Sequence, residues 1–179
     1  MYGEAVHRNE FGIKGGLFWS PTGNRLAFYR MDQSMVETYP QVNVFTPIAT
    51  LEPEKYPMAG RTSHKVTVGI YNASTGKTIY LAVGDPTNRY FTNIQWSPDN
   101  KILYLIELNR KQTKMQLDAY DAATGKKIKT LYTEESNKYV HPVTPITFLP
   151  WNKNQFILQS EKDGYNHLYL FNTNGELQR

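Results

Sequence analysis

Apolar and polar side chains alternate with a period of two in Arg25-Leu26-Ala27-Phe28-Tyr29-Arg30, in Lys65-Val66-Thr67-Val68-Gly69-Ile70-Tyr71 and in Lys114-Met115-Gln116-Leu117-Asp118-Ala119-Tyr120. That period sends successive side chains to opposite faces of a strand, so each stretch predicts a strand with one face turned to a core. No long stripe with helical spacing is present, and turn residues recur at short intervals. The 13 Tyr, 8 Phe and 3 Trp, with β-branched residues among them, suit a pleated, half-buried surface. The pattern predicts an all-β fold.

Two markers recur along the chain. Phe18-Trp19-Ser20-Pro21-Thr22-Gly23-Asn24 is echoed by Gln95-Trp96-Ser97-Pro98-Asp99-Asn100-Lys101 and, more faintly, by Thr147-Phe148-Leu149-Pro150-Trp151-Asn152-Lys153. Tyr71-Asn72-Ala73-Ser74-Thr75-Gly76-Lys77 returns as Tyr120-Asp121-Ala122-Ala123-Thr124-Gly125-Lys126 and as Phe171-Asn172-Thr173-Asn174-Gly175. Tyr71 to Tyr120 is 49 residues, Tyr120 to Phe171 is 51, and Pro98 to Pro150 is 52, whereas Pro21 to Pro98 is 77. The first unit therefore carries an insertion of about 25 residues. In the second unit the expected strands are Asn93 to Ser97, Ile102 to Leu108, Met115 to Asp121 and Lys127 to Tyr132. Four short antiparallel strands repeated every 40 to 50 residues or so is the pattern of a β-propeller blade. A two-sheet sandwich is the alternative.

The units fall at 14–84, with the insertion at 33–63, at 90–134, and at 143–179, where the last is incomplete. About three four-stranded blades do not close a ring, so the expectation is a partial β-propeller, one piece of a longer protein. Its two outer sheet faces would be open to self-association. The Trp residues at the repeat positions, Trp19, Trp96 and Trp151, are expected to pack between sheets. A sugar-binding module with exposed Trp is the competing reading.

Composition narrows the chemistry. There are no cysteines, which excludes disulfides, thiolate catalysis and Cys-ligated zinc. The 20 Lys+Arg against 16 Asp+Glu leave a net charge of +4, but the cations are scattered singly or in pairs. A phosphate-tracking surface needs them clustered, so no nucleic-acid partner is expected. The longest strongly apolar run, Ile102 to Ile106, is far short of the roughly 20 residues of a spanning helix. His7, His64, His141 and His167 show no metal-ligand spacing. Gly-x-Ser-x-Gly, P-loop and dinucleotide signatures are missing, so no catalytic residue, metal or cofactor is expected in this stretch.

Two segments stand apart from the repeat. The insertion holds Pro40, Pro47, Pro53 and Pro57, a density that favours an extended arm or edge ribbon. Val42, Val44, Phe45, Ile48 and Leu51 make it apolar enough to seek a partner surface; folding back on its own sheet is the other reading. Before the first blade, Glu4, His7, Arg8 and Glu10 cluster ahead of Phe11-Gly12-Ile13. Either this is a solvated loop, or the carboxylate of Glu10 or Glu4 is aimed at a cation.

The run Glu10-Phe11-Gly12-Ile13, then Phe18-Trp19-Ser20-Pro21, Leu26 to Met35, Tyr56-Pro57-Met58-Ala59-Gly60, His64 to Tyr71 and Asp163-Gly164-Tyr165-Asn166-His167-Leu168-Tyr169 resembles the N-terminal propeller of the dipeptidyl peptidase IV family of serine exopeptidases. Within that family the likeness is nearest to the bacterial prolyl tripeptidyl type. The resemblance spans essentially the whole chain. It implies an eight-bladed propeller followed by a C-terminal α/β-hydrolase domain, absent from this chain, that carries the Ser-Asp-His triad. The whole protein would be a peptidase, and this stretch alone would be inactive.

The implied substrates are proline-containing peptides, whose free α-amino group is held by acidic side chains of the propeller. Release of Xaa-Pro dipeptides or Xaa-Xaa-Pro tripeptides follows from where that anchor sits. Dipeptidyl members carry paired glutamates where this chain has His7-Arg8. The tripeptidyl type has a glutamate slightly later, matched by Glu10, which makes Glu10 the candidate anchor ahead of Glu4, His7 and Arg8. Tyr139-Val140-His141-Pro142 matches a segment that lines the pocket near the substrate's penultimate residue, implicating Val140 and His141. The insertion matches an arm that helps form a homodimer, here through Val42, Phe45, Ile48 and Tyr56. A periplasmic or cell-surface location is implied as well. The rival reading, from a different class, is a propeller that serves only as a protein-interaction scaffold, since a fold does not decide a function.

Overall fold

The computed structural model describes residues 1–6 and 9–179. It is built of antiparallel strands, with no helix among the described residues. Strands β1 (Leu17–Trp19) and β2 (Arg25–Asp32) form a hairpin. β3 (Thr38–Asn43) and β4 (Thr50–Lys55) make a two-stranded ribbon of their own, and β5 (Lys65–Asn72) and β6 (Lys77–Tyr80) then rejoin β2. The first sheet has the order β1-β2-β5-β6, every pair antiparallel. A second sheet follows in simple up-and-down order: β7 (Arg89–Trp96), β8 (Ile102–Asn109), β9 (Lys114–Asp121) and β10 (Lys127–Glu135). A third holds β11 (Thr147–Leu149), β12 (Asn152–Ser160) and β13 (His167–Asn172).

The three sheets stack. Residues alternate along each strand, so the middle sheet offers one apolar face to each neighbour. Leu103, Leu105 and Tyr120 pack with Ala27, Tyr29, Val68 and Ile70 of the first sheet. Tyr104, Ile106, Leu108 and Leu117 pack with Phe156, Leu158 and Phe171 of the third. The apolar run from Ile102 is thus a strand buried on both faces. Each fully buried leucine there contributes about 1.5–3 kcal/mol through removal from water.

Aromatic side chains make two of the hydrogen bonds that cross the first interface. The Tyr29 hydroxyl donates to the Phe91 carbonyl at 2.7 Å, and the Trp96 Nε1–H donates to the Phe18 carbonyl at 2.9 Å. Within the second sheet the fully buried Asp118 receives Lys127 Nζ at 2.8 Å and the Thr130 hydroxyl at 2.6 Å. Those partners are what make a buried charge tolerable.

Two features depart from the expectations, and the insertion decides between its two readings. β7 starts at Arg89, four residues ahead of the predicted Asn93, and a bulge between Thr92 and Gln95 interrupts its ladder. Trp96 is 3% exposed, but Trp19 and Trp151 are 58% and 81% exposed. Trp96 faces the first sheet and Trp19 has no preceding sheet to face among the described residues, whereas Trp151 lies in the turn between β11 and β12 and Phe148 takes the place between sheets. The insertion is a projecting ribbon rather than a loop folded back. Thr38 pairs with Lys55, Pro40 with Pro53 and Asn43 with Thr50, and Phe45 and Ile48 at its tip are exposed.

Candidate functional site

The segment around Glu10 is a lasso on the edge of the first sheet. Tyr2 bridges Arg30, and the Gly3 N–H donates to the Tyr29 carbonyl at 2.8 Å. The chain then leaves the edge and returns at Gly16, whose carbonyl accepts the Tyr29 N–H at 3.1 Å. The two ends nearly touch: a Cβ on Gly16 would lie 1.8 Å from the Gly3 carbonyl oxygen, so only glycine closes the loop here. Ala5 and Ile13 are buried in the first apolar layer, and Phe11 packs against the second, its ring stacked on Tyr90 at 5.4 Å. The turn itself is tight. The Ile13 N–H donates to the Glu10 carbonyl at 2.8 Å, the Asn9 N–H donates to the Ile13 carbonyl at 2.7 Å, and Asn9, Phe11 and Gly12 all have positive φ.

Glu10 stands between two clefts. One, of about 380 Å³, is lined by Glu4, Glu10, Glu54, Tyr56 and His64 among others. The other, of about 430 Å³, is lined by Glu10, Phe11, Gly12, Lys14, His141 and Thr144 among others. Three glutamates line the first cleft together with two cations, Lys55 and the Met1 α-ammonium, which donate to the Val36 and Met31 carbonyls, and no three acidic or histidine side chains among the described residues converge as a metal site. Burial holds the Tyr90 phenol above its usual range; Arg110 pulls the other way, and the negative charge of Glu10 adds to the rise.

The structure thus brings Glu10 and Glu4 to one cleft and Glu10 and His141 to the other. His141 is half exposed, with Nδ1 4.0 Å from Glu161 Oε1. Val140 lines neither cleft. It is 3% exposed in the layer between the second and third sheets, and its N–H donates to the Gln112 carbonyl at 2.7 Å. His7 and Arg8 lie outside the described residues. Val42, Phe45 and Ile48 are exposed on the ribbon, whereas Tyr56 at its base both lines the first cleft and meets Tyr39 at 6.1 Å between ring centroids.

Sequence reasoning passed over Glu54 and His64, which reach the cleft from far along the chain, and Asn93. Asn93 is 3% exposed and sits in the bulge of β7 with φ of 52°. Its Nδ2 lies 3.2 Å from the Phe11 carbonyl, 3.0 Å from the Pro142 carbonyl and 3.0 Å from the Thr92 hydroxyl. An asparagine amid a strand, where its propensity is poor, was the one signal available.

Stacked antiparallel sheets of this size, open at both ends of the stack, define a partial β-propeller. Residues 1–179 match the family described as the dipeptidyl peptidase IV (DPP IV) N-terminal region, and the chain belongs to that family. A protein of Bacteroides ovatus assigned as a dipeptidyl aminopeptidase IV is 59% identical, with a TM-score of 0.92 over 98% of this chain and 25% of its own. The Porphyromonas gingivalis dipeptidyl peptidase 4 structure is 25% identical, with a TM-score of 0.87 over 100% of this chain and 26% of its own. A protein of Pyrenophora tritici-repentis assigned as dipeptidyl-aminopeptidase B is 32% identical over 138 residues, 67% of this chain and 16% of the relative. The chain therefore spans between 16% and 26% of the length of these relatives.

Proposed function

We propose that this chain is the substrate-gating and amine-anchoring portion of a serine exopeptidase that cuts after proline near the N-terminus of short peptides. The observation that carries the reading is the sharing of one cleft by the carboxylates of Glu4 and Glu10. A peptide's α-ammonium is the cation that suits it: compact, with three N–H donors, and present only at the chain's free end. Glu10 is the principal anchor. His141, across the second cleft from Glu10, lines the pocket for the substrate's penultimate residue; Val140 supports that segment from the core.

The nucleophile and its partners belong to a C-terminal α/β-hydrolase domain, and the propeller admits only slender peptides to it. Each residue of extended chain adds roughly 3.3–3.6 Å, so the span from anchor to nucleophile sets the product length. A glutamate at position 10, with His7-Arg8 in place of an acidic pair, favours Xaa-Xaa-Pro over Xaa-Pro. The ribbon carrying Val42, Phe45 and Ile48, with Tyr56 at its base, contributes to a homodimer, and the protein works in the periplasm or at the cell surface.

The test is Glu10→Gln in the full-length protein. Loss of a charge-assisted hydrogen bond of about 1.5–3 kcal/mol lowers kcat/KM for free-amine peptides by roughly 10- to 100-fold, while N-acetylated peptides stay poor substrates of both forms. Unchanged kinetics remove Glu10 from the site. Mass analysis of the released fragments measures the product length.

A further inference from the structure

We propose that Asn93 is a positioning residue whose side-chain amide ties the Glu10 loop to the His141 segment and so sets where the anchoring carboxylate stands. The inference rests on the amine-anchoring reading of Glu10. Phe11, whose carbonyl lies 3.2 Å from Asn93 Nδ2, directly follows Glu10, and Pro142, whose carbonyl lies 3.0 Å away, directly follows His141. The two carbonyls come from segments 82 and 49 residues from Asn93 in the chain. A planar amide holds its N–H groups at a fixed angle, so one group dictates the relative placement of both walls of the cleft that Glu10 and His141 share.

Other features fit a demand for this amide rather than for strand packing. The bulge and the positive φ turn Asn93 out of the ladder, a conformation that asparagine tolerates better than other side chains of its size. Its Oδ1 is buried with no hydrogen-bond partner among the described residues, an arrangement that native proteins seldom keep without a reason. A Cβ on Gly12 would fall 2.0 Å from that oxygen. The residue after Phe11 is thus glycine because the amide occupies the space.

The experiment uses the full-length protein with Asn93→Gly, Glu10→Gln and the double variant, assayed on free-amine Gly-Pro and Ala-Ala-Pro p-nitroanilides. Glycine keeps the positive φ and deletes the amide. The expected result for N93G is a KM raised about five- to tenfold with kcat within about twofold, because ground-state placement of the amine is what is lost. In the double variant kcat/KM stays within about twofold of E10Q alone, because Asn93 acts through Glu10. If E10Q lowers kcat/KM while N93G leaves KM unchanged and only lowers the unfolding temperature, Asn93 is structural and the proposal falls while the anchor stands. Independent, multiplying losses in the double variant overturn it too. No effect of E10Q overturns the anchor itself. Should N93G not fold, Asn93→Ser, which leaves one hydroxyl in place of two N–H donors, carries the same comparison.

Discussion

Trp19, Trp96 and Phe148 occupy equivalent places in the first strand of the three sheets, yet they meet different surroundings. Trp96 is 3% exposed against the first sheet, and Phe148 packs in the layer against the second. Trp19 is 58% exposed beside Leu17, which is 60% exposed. Each aromatic ring faces the sheet that precedes it in the chain. The middle sheet, covered on both sides, shows what the repeat provides when complete; the first sheet shows the same residues with one neighbour lacking. The repeat motif therefore encodes an interface and not a self-contained fold, and its stabilising value depends on which sheet is measured.

Substitutions sharpen that contrast. Trp96→Ala opens a cavity between two sheets and strands the Phe18 carbonyl, and is expected to cost about 3–5 kcal/mol in urea unfolding of the purified chain. Trp19→Ala is expected to cost under about 0.5 kcal/mol. Equal costs would mean that a second copy covers the outer face, which sedimentation of the two variants would then reveal. Asp118→Ala, which removes a buried carboxylate from Lys127 and Thr130, is expected to cost about 2 kcal/mol, because Lys127 retains access to water. The matching change in the exposed turn of the same sheet, Asp121→Ala, is expected to cost less than half as much.

Alkali tests the layers themselves. Burial pushes the phenols of Tyr104 and Tyr132 up to about 12. The unfolded chain then loses these protons near pH 10 while the folded chain keeps them, so stability is intact below pH 10 and falls between about pH 10 and 12. A flat unfolding midpoint across that window would break the assignment. The smallest effect is on the ribbon: Phe45→Ser is expected to move the unfolding free energy by under about 0.5 kcal/mol, and to register instead in the association state.

The strand pattern was legible because alternation and turn spacing are local. β8, β9 and β10 start and end within three residues of their predicted limits, and the ribbon follows from its prolines. What one chain segment cannot reveal is its neighbours. Trp19 and Trp96 read alike in sequence, and only the stack distinguishes them. The resemblance singled out Glu10, but the residues gathered around it were not legible. Glu54 and His64 arrive by tertiary folding, and Asn93 gains its place through a bulge that answers contacts 49 and 82 residues away. The resemblance implicated Val140 and His141 together, but successive residues in that segment turn opposite ways, with Tyr139 out and Val140 into the apolar layer.

The facing prolines of the ribbon carry one more consequence. Pro40 and Pro53 sit opposite each other in register, and a proline lodged in a ladder must direct its hydrogen-less nitrogen outward. Both rims of the hairpin thus lack a donor at the same rung, so a further strand cannot zip alongside without a gap. A sticky, projecting finger of this kind would otherwise invite fibrils, and the paired prolines oppose that route.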